Sequence, residues 1–288
     1  FYGWEGDQFS ISDEIKPLRA DRNVNIDELA GYVSRHVDNL TVEYRVGGSL
    51  DTLRRLIAAG FPVLVEETFT FEQPFWYQDD LWGGHYLLLN GYNDTARTFL
   101  TQDSYWGADK YISYEQLDKN WQAFNRVYLL VFPPEAADTI KAILKDNWDP
   151  DSNRKNALQT ARHETQVTPD NAFAWFNLGS NLVYFEDYQG AAVAYDQARA
   201  LTIPQRMLRY QFGPFLAYFH SGRTDDLMSL VDYALKVTAN SEEALLWKGW
   251  GLYRQGKKAD ALASFSKALE AHPGYGDAEY ALQYVKNN

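Results

Sequence analysis

His85 and Asp103 are the residues whose types and spacing point most directly to chemistry. Leu81 to Tyr92 reads Leu-Trp-Gly-Gly-His-Tyr-Leu-Leu-Leu-Asn-Gly-Tyr. Two glycines lead into His85, which opens an apolar run bounded by Asn90-Gly91. A second run, Thr98 to Thr101, ends in Gln102-Asp103. A turn around Asn93-Asp94-Thr95 makes the two runs antiparallel strands. His85 and Asp103 then lie at the same end of the pair. A histidine oriented by a carboxylate is the base half of a nucleophilic triad. The nucleophile is missing, because the chain has no cysteine. Ser104 is the nearby hydroxyl, but a residue following Asp103 in a strand points to the other face.

Other chemistries are open to the same residues. Glu66 and Glu67 with Asp103 offer glycosidase-type carboxyls, although no spacing favours that and a glutamate at a strand exit is ordinarily solvated. A metal held by His85, Asp103 and a glutamate would have one histidine in this region, where zinc commonly uses more. No metal site is expected. Gly47-Gly48 and Gly83-Gly84 lack phosphate-loop spacing and read as turns. A lone histidine opening a strand is, by itself, more often a surface or satisfied core residue.

The elements that must position the pair come next. Tyr2-Gly3-Trp4 reads as the end of a helix running into a loop, which places the natural N-terminus upstream. Asp7 to Ile15 reads as a short helix. Asn25-Ile26-Asp27-Glu28 is a capping-box pattern opening an amphipathic helix through His36. Val42 to Val46 alternates like a strand. Ser49 caps Leu50 to Ala59, and Gly60 ends it. Pro62 bars helix, and Val63 to Glu67 reads as a buried strand. Residues 68–80 show no period and carry Phe69, Phe71, Phe75, Trp76 and Tyr77, as a loop lying over a cleft would. Ser113 caps a helix to about Asn120, and Val127 to Phe132 is a last strand stopped by Pro133-Pro134. Helices first and strands later predict an α+β domain with an antiparallel sheet.

Several of these segments together resemble a known family. Pro62 to Glu66, Gly84 to Asp94, Gln102 to Tyr105 and Trp121 to Arg126 look like the peptidase C39-like family of papain-fold cysteine peptidases. The resemblance covers residues 1–134. It implies a papain-like α+β domain in which His85 is the catalytic histidine and Asp103 its orienting residue. The family's cysteine opens a helix ending in a Tyr-Gly-Trp-like segment, which Tyr2-Gly3-Trp4 matches. The resemblance therefore implies a nucleophilic helix before residue 1, and this chain alone is expected to be inactive. It also implies peptide-bond hydrolysis without a cofactor in the intact protein, and an extracytoplasmic or membrane-anchored bacterial setting. The alternative is a binding or scaffold module on the same fold.

The second half repeats. Gly222 and Gly256 are 34 residues apart, as are Ala234 and Ala268. Ala198 to Ala234 is 36, so the first junction carries two extra residues near Ile203-Pro204-Gln205. A 34-residue helix–turn–helix period is the tetratricopeptide (TPR) signature. The first repeat is similar to the consensus at Trp175, Leu178, Gly179, Ala191, Tyr195 and Ala198, and the third at Gly249, Gly256, Ala261, Phe265, Ala268 and Pro273. The middle one is degenerate. The expected organisation is residues 1–134, a helical linker over 135–168, and an all-α solenoid of three repeats with a capping helix over 169–288. Such repeats bind a peptide or protein partner along the first helix of each pair. Candidates there are Phe173, Phe176, Tyr184, Arg209, Phe212, Phe219, Trp250, Tyr253 and Arg254. Alternatively, these aromatics pack inside the array or dock the first domain.

Composition bounds the rest. The chain has 288 residues, 45% hydrophobic, with a net charge of −12. That is enough apolar surface for real cores. An acidic chain without a basic cluster is a poor nucleic-acid binder, and no apolar run reaches the length of a membrane span.

Overall fold

The computed structural model describes residues 2–17, 23–73 and 81–288, with nothing further said of the Val237 side chain. Helices α1 (Gln8–Ile15) and α2 (Ile26–His36) precede strand β1 (Thr41–Arg45) and α3 (Leu50–Ala58). Strands β2 (Val63–Thr70), β3 (Trp82–Asn93), β4 (Thr98–Asp103) and β5 (Gly107–Ser113) follow. Then come α4 (Tyr114–Trp121) and β6 (Tyr128–Phe132). The strands form one antiparallel sheet in the order β1-β6-β2-β3-β4-β5.

Local chemistry explains the boundaries. The Glu28 carboxylate accepts from the Asn25 backbone N–H at 2.7 Å, as a capping box requires. Ser49 Oγ accepts from the Thr52 N–H at 3.1 Å, and Gly60 closes that helix at φ +89°, where L-residues are strained. Alternate residues of the central strands bury one face: Val63, Val65, Leu87, Leu89 and Phe99 pack with Leu53, Leu56, Leu117 and Trp121. Trp121 is wholly buried, and its Nε1–H donates to the Val127 carbonyl at 2.6 Å.

Four expectations need correction. Residues 2–7 are not helical. Strand β2 runs on to Thr70, because it keeps pairing with Gly84, Gly83 and Trp82; the residues carrying Phe75, Trp76 and Tyr77 lie outside those described. Strand β5 was not expected. Gly83-Gly84 is not a turn but the start of β3. A Cβ on Gly83 would sit 2.5 Å from the Phe71 ring, and one on Gly84 2.8 Å from Phe124 and 3.1 Å from Tyr210. Those glycines are needed because aromatic rings lie directly on the strand.

The helical half starts with α5 (Ala137–Leu144) and α6 (Pro150–Val167). Ile140 and Leu144 of α5 complete the core of the sheet unit. Helix α6 begins at its proline, with the Asp149 carboxylate capping the Ser152 N–H at 2.9 Å. The repeats are α7 (Ala172–Tyr184) with α8 (Tyr188–Ala200), α9 (Gly213–His220) with α10 (Thr224–Val237), and α11 (Glu242–Arg254) with α12 (Lys258–Ala271). Helix α13 (Gly276–Asn287) closes the array. Gly179 faces Tyr195, and Gly249 faces Phe265. An added Cβ would lie 2.7 Å and 2.2 Å from those rings, so the repeated glycine is a close-packing requirement.

The array is not free of the sheet unit. After a 3-10 turn over Gln122–Phe124, Asn125 and Arg126 both take left-handed backbone (φ 52° and 47°), and the turn enters the array. Asn177 Nδ2 donates to the Gln122 carbonyl at 2.8 Å, and Gln211 Nε2 to the Ala123 carbonyl at 2.9 Å. Asn125 Nδ2 donates to Asn181 Oδ1 at 2.9 Å. Array amides thus bond backbone carbonyls of the turn, the Gln122 carbonyl accepting as well from the Asn125 N–H at 3.1 Å. This also explains the degenerate middle repeat. A 3-10 turn, Gln205–Arg209, stands ahead of a shortened α9. Beyond it, Tyr210 packs edge-on to Phe124 and Trp82.

Candidate functional site

Three neighbouring strands build the site. In the β2–β3 register Glu67 lies opposite His85, and in the β3–β4 register Leu87 lies opposite Asp103. Glu67, His85, Leu87 and Asp103 therefore share one face. His85 Nε2 lies 2.9 Å from Asp103 Oδ1. The side chains are 11% and 6% exposed.

Asp103 is held by its own turn. The same Oδ1 accepts from the backbone N–H groups of Tyr105 at 2.6 Å and Trp106 at 2.9 Å. Burial by itself would raise this carboxyl; those two N–H groups and His85 outweigh it and hold it below the ordinary aspartate range. An ionised carboxylate at Nε2 fixes the tautomer: Nε2 carries the proton and Nδ1 keeps a free lone pair. The imidazole can then accept a proton at Nδ1 while Asp103 stabilises the charge.

Aromatic rings flank the imidazole. The Phe69 ring lies 5.0 Å from that of His85 and 5.4 Å from that of Tyr105. The Phe71 ring packs tilted against that of Phe69 at 4.4 Å, and the Arg206 guanidinium lies over Phe71 at 5.0 Å. Through Arg206 the array touches the wall of the site. Ser104 is in the turn after β4 and exposed, not in the strand as expected.

The two glutamates separate. Glu66 points to the face opposite Asp103, so the glycosidase arrangement has no common cleft. It lines a cavity of about 530 Å³ between the two units, beside Asp27, Tyr44, Arg154, Phe212 and Trp247. Burial raises its carboxyl well above the ordinary range. Glu67 is buried on the His85 face, and Asn120 Nδ2 donates to its Oε2 at 3.3 Å.

Among the described residues, one group of three acids converges as metal ligands would: Glu28, Glu242 and Glu243. The Lys16 ammonium already sits among them, at 2.9, 2.8 and 2.7 Å. It ties the N-terminal segment and α2 to α11.

The array candidates divide. Phe176 is wholly buried and Arg209 is 2% exposed, so neither presents a groove surface. The reason is that Phe176 packs edge-on to Tyr195 inside the helix pair. Phe173 packs on the sheet unit with Ala123 and Phe124. Phe212 lines the inter-unit cavity. Tyr184 donates to Asp151 at 2.8 Å. Phe219, Trp250 and Tyr253 form a strip with Tyr284, and Arg254 lies over Phe219 at 4.4 Å. Sequence reasoning missed Gln122, Asn177 and Gln211, which join the units; side-chain amides carry no apolar period to find them by.

Residues 16–129 match the Peptidase_C39 like family. That span contains both His85 and Asp103. No curated protein matches the chain. Solved structures similar to it include a MamA RS-1 ArsTM double mutant, 12% identical, with a TM-score of 0.41 over 47% of this chain and 75% of that one. YrrB, described as a TPR protein with an unusual peptide-binding site, is 18% identical, with a TM-score of 0.40 over 52% of this chain and 74% of its own. TTC0263, a thermophilic TPR protein in Thermus thermophilus, is 17% identical, with a TM-score of 0.40 over 54% of this chain and 91% of its own. No helix among the described residues is long and apolar enough to cross a membrane.

Proposed function

We propose that this chain supplies the acid–base half of a thiol peptidase site, His85 with Asp103, on a C39-like domain braced by TPR repeats. The observation that carries this is the 2.9 Å contact between His85 Nε2 and Asp103 Oδ1, in a segment matching a peptidase-like family. These 288 residues contain no cysteine, so a thiol must come from outside them.

The chemistry follows from the free Nδ1. It takes the thiol proton, giving a thiolate beside an imidazolium. The sulfur attacks a peptide carbonyl carbon. As the C–N bond breaks, the imidazolium returns its proton to the leaving amine, and a thioester remains. Water then attacks the thioester while His85 accepts its proton, releasing the acid and restoring the thiol. Asp103 holds the tautomer through both halves. A peptide or protein is the natural substrate class, and the Phe219–Trp250–Tyr253 strip is where the array would hold one.

A second reading is peptide binding without hydrolysis. Phe69, beside a side chain only 11% exposed, favours it.

Alkylation separates the two. The protein expressed from its full coding sequence should contain a thiol that iodoacetamide alkylates at pH 6 at least about 10-fold faster than a free cysteine, because an imidazolium lowers the thiol pKa. His85→Ala should remove that advantage. A protein with no such thiol, or an alkylation rate indifferent to His85→Ala, selects the binding reading.

A further inference from the structure

Arg154 on α6 is a half-buried cation to which, among the described residues, no carboxylate is bonded. Its guanidinium lies over the Tyr184 ring at 4.9 Å, and Nη1 donates to Asn181 Oδ1 at 3.4 Å. That oxygen already accepts from Asn125 Nδ2 at 2.9 Å. Within the protein the guanidinium donors thus share one long hydrogen bond. Arg126, half-buried in the same way, bonds both Asp118 and Glu164, at 2.8 and 2.7 Å. A cation taken out of water is costly unless it is paired. Burial holds Arg154 below the ordinary arginine value, and Tyr44, Tyr184 and Asp27 offset this only in part.

Arg154 lines the cavity of about 530 Å³ between the two units. Small-molecule sites run to about 300 to 1,000 Å³ and favour such joints. Tyr210, Phe212, Leu216 and Trp247 give the wall its apolar surface. Neighbouring polar groups are bonded within the protein: Gln211 Nε2 donates to the Ala123 carbonyl at 2.9 Å, and the Ser180 hydroxyl to the Phe176 carbonyl at 3.1 Å. The acids of the wall do not pair with Arg154. Glu28 and Glu243 are held by Lys16. Burial raises the Glu66 carboxyl well above its ordinary range, so it opposes an anion less than its type suggests. Asp27 accepts from the Tyr44 hydroxyl at 2.5 Å. Asp27 and Asp277 are exposed, and they oppose a doubly charged anion more than a singly charged one. A single planar guanidinium matches a planar carboxylate.

We propose that this cavity binds a carboxylate carried on an apolar or aromatic body, with the Arg154 guanidinium as its anchor. The carboxylate accepts from the guanidinium N–H groups, and the body packs against Phe212 and Trp247. The cavity lies on the sheet face opposite His85, where Glu66 lines it, and the inference does not rest on the thiol reading. Two sources carry this chemistry: a small organic acid and the C-terminus of a peptide. The Trp247 ring lies 5.9 Å from that of Phe219, so the wall runs on into the aromatic strip of the array.

The test is titration calorimetry of this chain at pH 7 in a buffer free of carboxylates. The probes are hydrocinnamate and its neutral amide, and the peptide Ala-Ala-Phe with a free or an amidated C-terminus. The amides should bind about 10- to 100-fold more weakly than the acids, the scale of a lost charge-assisted hydrogen bond. Arg154→Gln should weaken the acids by the same factor and leave the amides unchanged. Arg162→Gln, exposed on the same helix, should leave all four unchanged. A peptide acid bound at least about 10-fold more tightly than hydrocinnamate assigns the site to a peptide terminus, and any smaller preference assigns it to a small acid. The proposal is overturned if neither acid binds saturably, if acids and amides bind equally, or if Arg154→Gln leaves acid binding unchanged. Where Arg154→Gln does not fold, the Trp247 indole resonance is followed by NMR in the unmodified protein. A shift that tracks acid binding supports the site, and an indole unmoved by bound acid overturns it. Neither cleavage nor alkylation is read, so failure of the His85 assignment leaves these outcomes unaffected.

Discussion

Lys16→Met is expected to loosen the joint between α2 and α11 by about 3 kcal/mol, the scale of removing one partner from a buried ion pair. Lys16 bonds Glu28, Glu242 and Glu243 at 2.7 to 2.9 Å, and its side chain is 4% exposed. Its removal leaves three carboxyls together with no ammonium. They do not respond alike. Burial raises the Glu28 carboxyl, and Lys16 offsets this only in part. For Glu242, burial is outweighed by His272 and Lys16, which hold it down at about 2. That gives the sign of the pH dependence. A carboxyl whose folded pKa is depressed adds stability that is present above its unfolded value, near 4.5, and is lost as pH falls through about 2. The difference between wild type and Lys16→Met should therefore be largest near neutral pH and shrink toward pH 2. Hydrogen exchange reads this locally and does not need a two-state array. Amides of α2 and of the first turns of α11 should exchange about 100-fold faster at pH 7 in the variant. Equal exchange would mean that Lys16 is a bystander to the joint.

The second large effect falls on the chemistry. In the protein expressed from its full coding sequence, His85→Ala should lower kcat/KM for peptide cleavage by about 10³-fold or more, since one group serves as base and then as acid. Asp103→Asn should cost less, about 10²-fold. Its amide oxygen can still cap the Tyr105 and Trp106 N–H groups, so the turn survives. What goes is the negative charge that fixes Nε2–H and stabilises the imidazolium. The Asp103 carboxyl is held below the ordinary range. It therefore stays ionised through mildly acid pH, and the acid limb of the rate profile should belong to the thiol–imidazole pair. KM should move little in Asp103→Asn, because the aspartate lies behind the histidine.

Much of the sheet unit could be read before the fold was known. Caps at Asn25 and Ser49, Pro62 before a buried run, and the His85 and Asp103 strands joined at Asn93 all use local signals that folding preserves. Strand β5 could not be read that way. Gly107 to Ser113 is exposed at every residue but Ile112, so no alternation of burial marks it. It is an edge strand held by backbone bonds to β4, with a register irregularity between Thr101 and Asp103. The helical repeat was legible from Gly and Ala spacing, because Gly222 and Gly256 take left-handed backbone in the turns between paired helices, at φ 77° and 76°, and Ala234 and Ala268 are buried where helices pack closely. The surface it presents was not. Asn177 and Asn181 are ordinary polar helix positions and Gln211 lies in the loop before α9, and only the fold brings Gln122 to Asn125 against them. Lys16 meets Glu242 across 226 residues of sequence, a distance over which no spacing rule operates. Gly83-Gly84 looked like a turn because the rings that exclude a Cβ come from Phe71, Phe124 and Tyr210, two of them far along the chain.

The most direct test of the His85–Asp103 assignment is peptide cleavage by the protein expressed from its full coding sequence, compared with its His85→Ala variant at equal folded concentration. The predicted result is thiol-dependent cleavage, blocked by alkylation and reduced about 10³-fold by His85→Ala. Cleavage that survives His85→Ala, or a folded full-length protein that cleaves no peptide, would contradict the peptidase assignment and leave a C39-like fold used for binding.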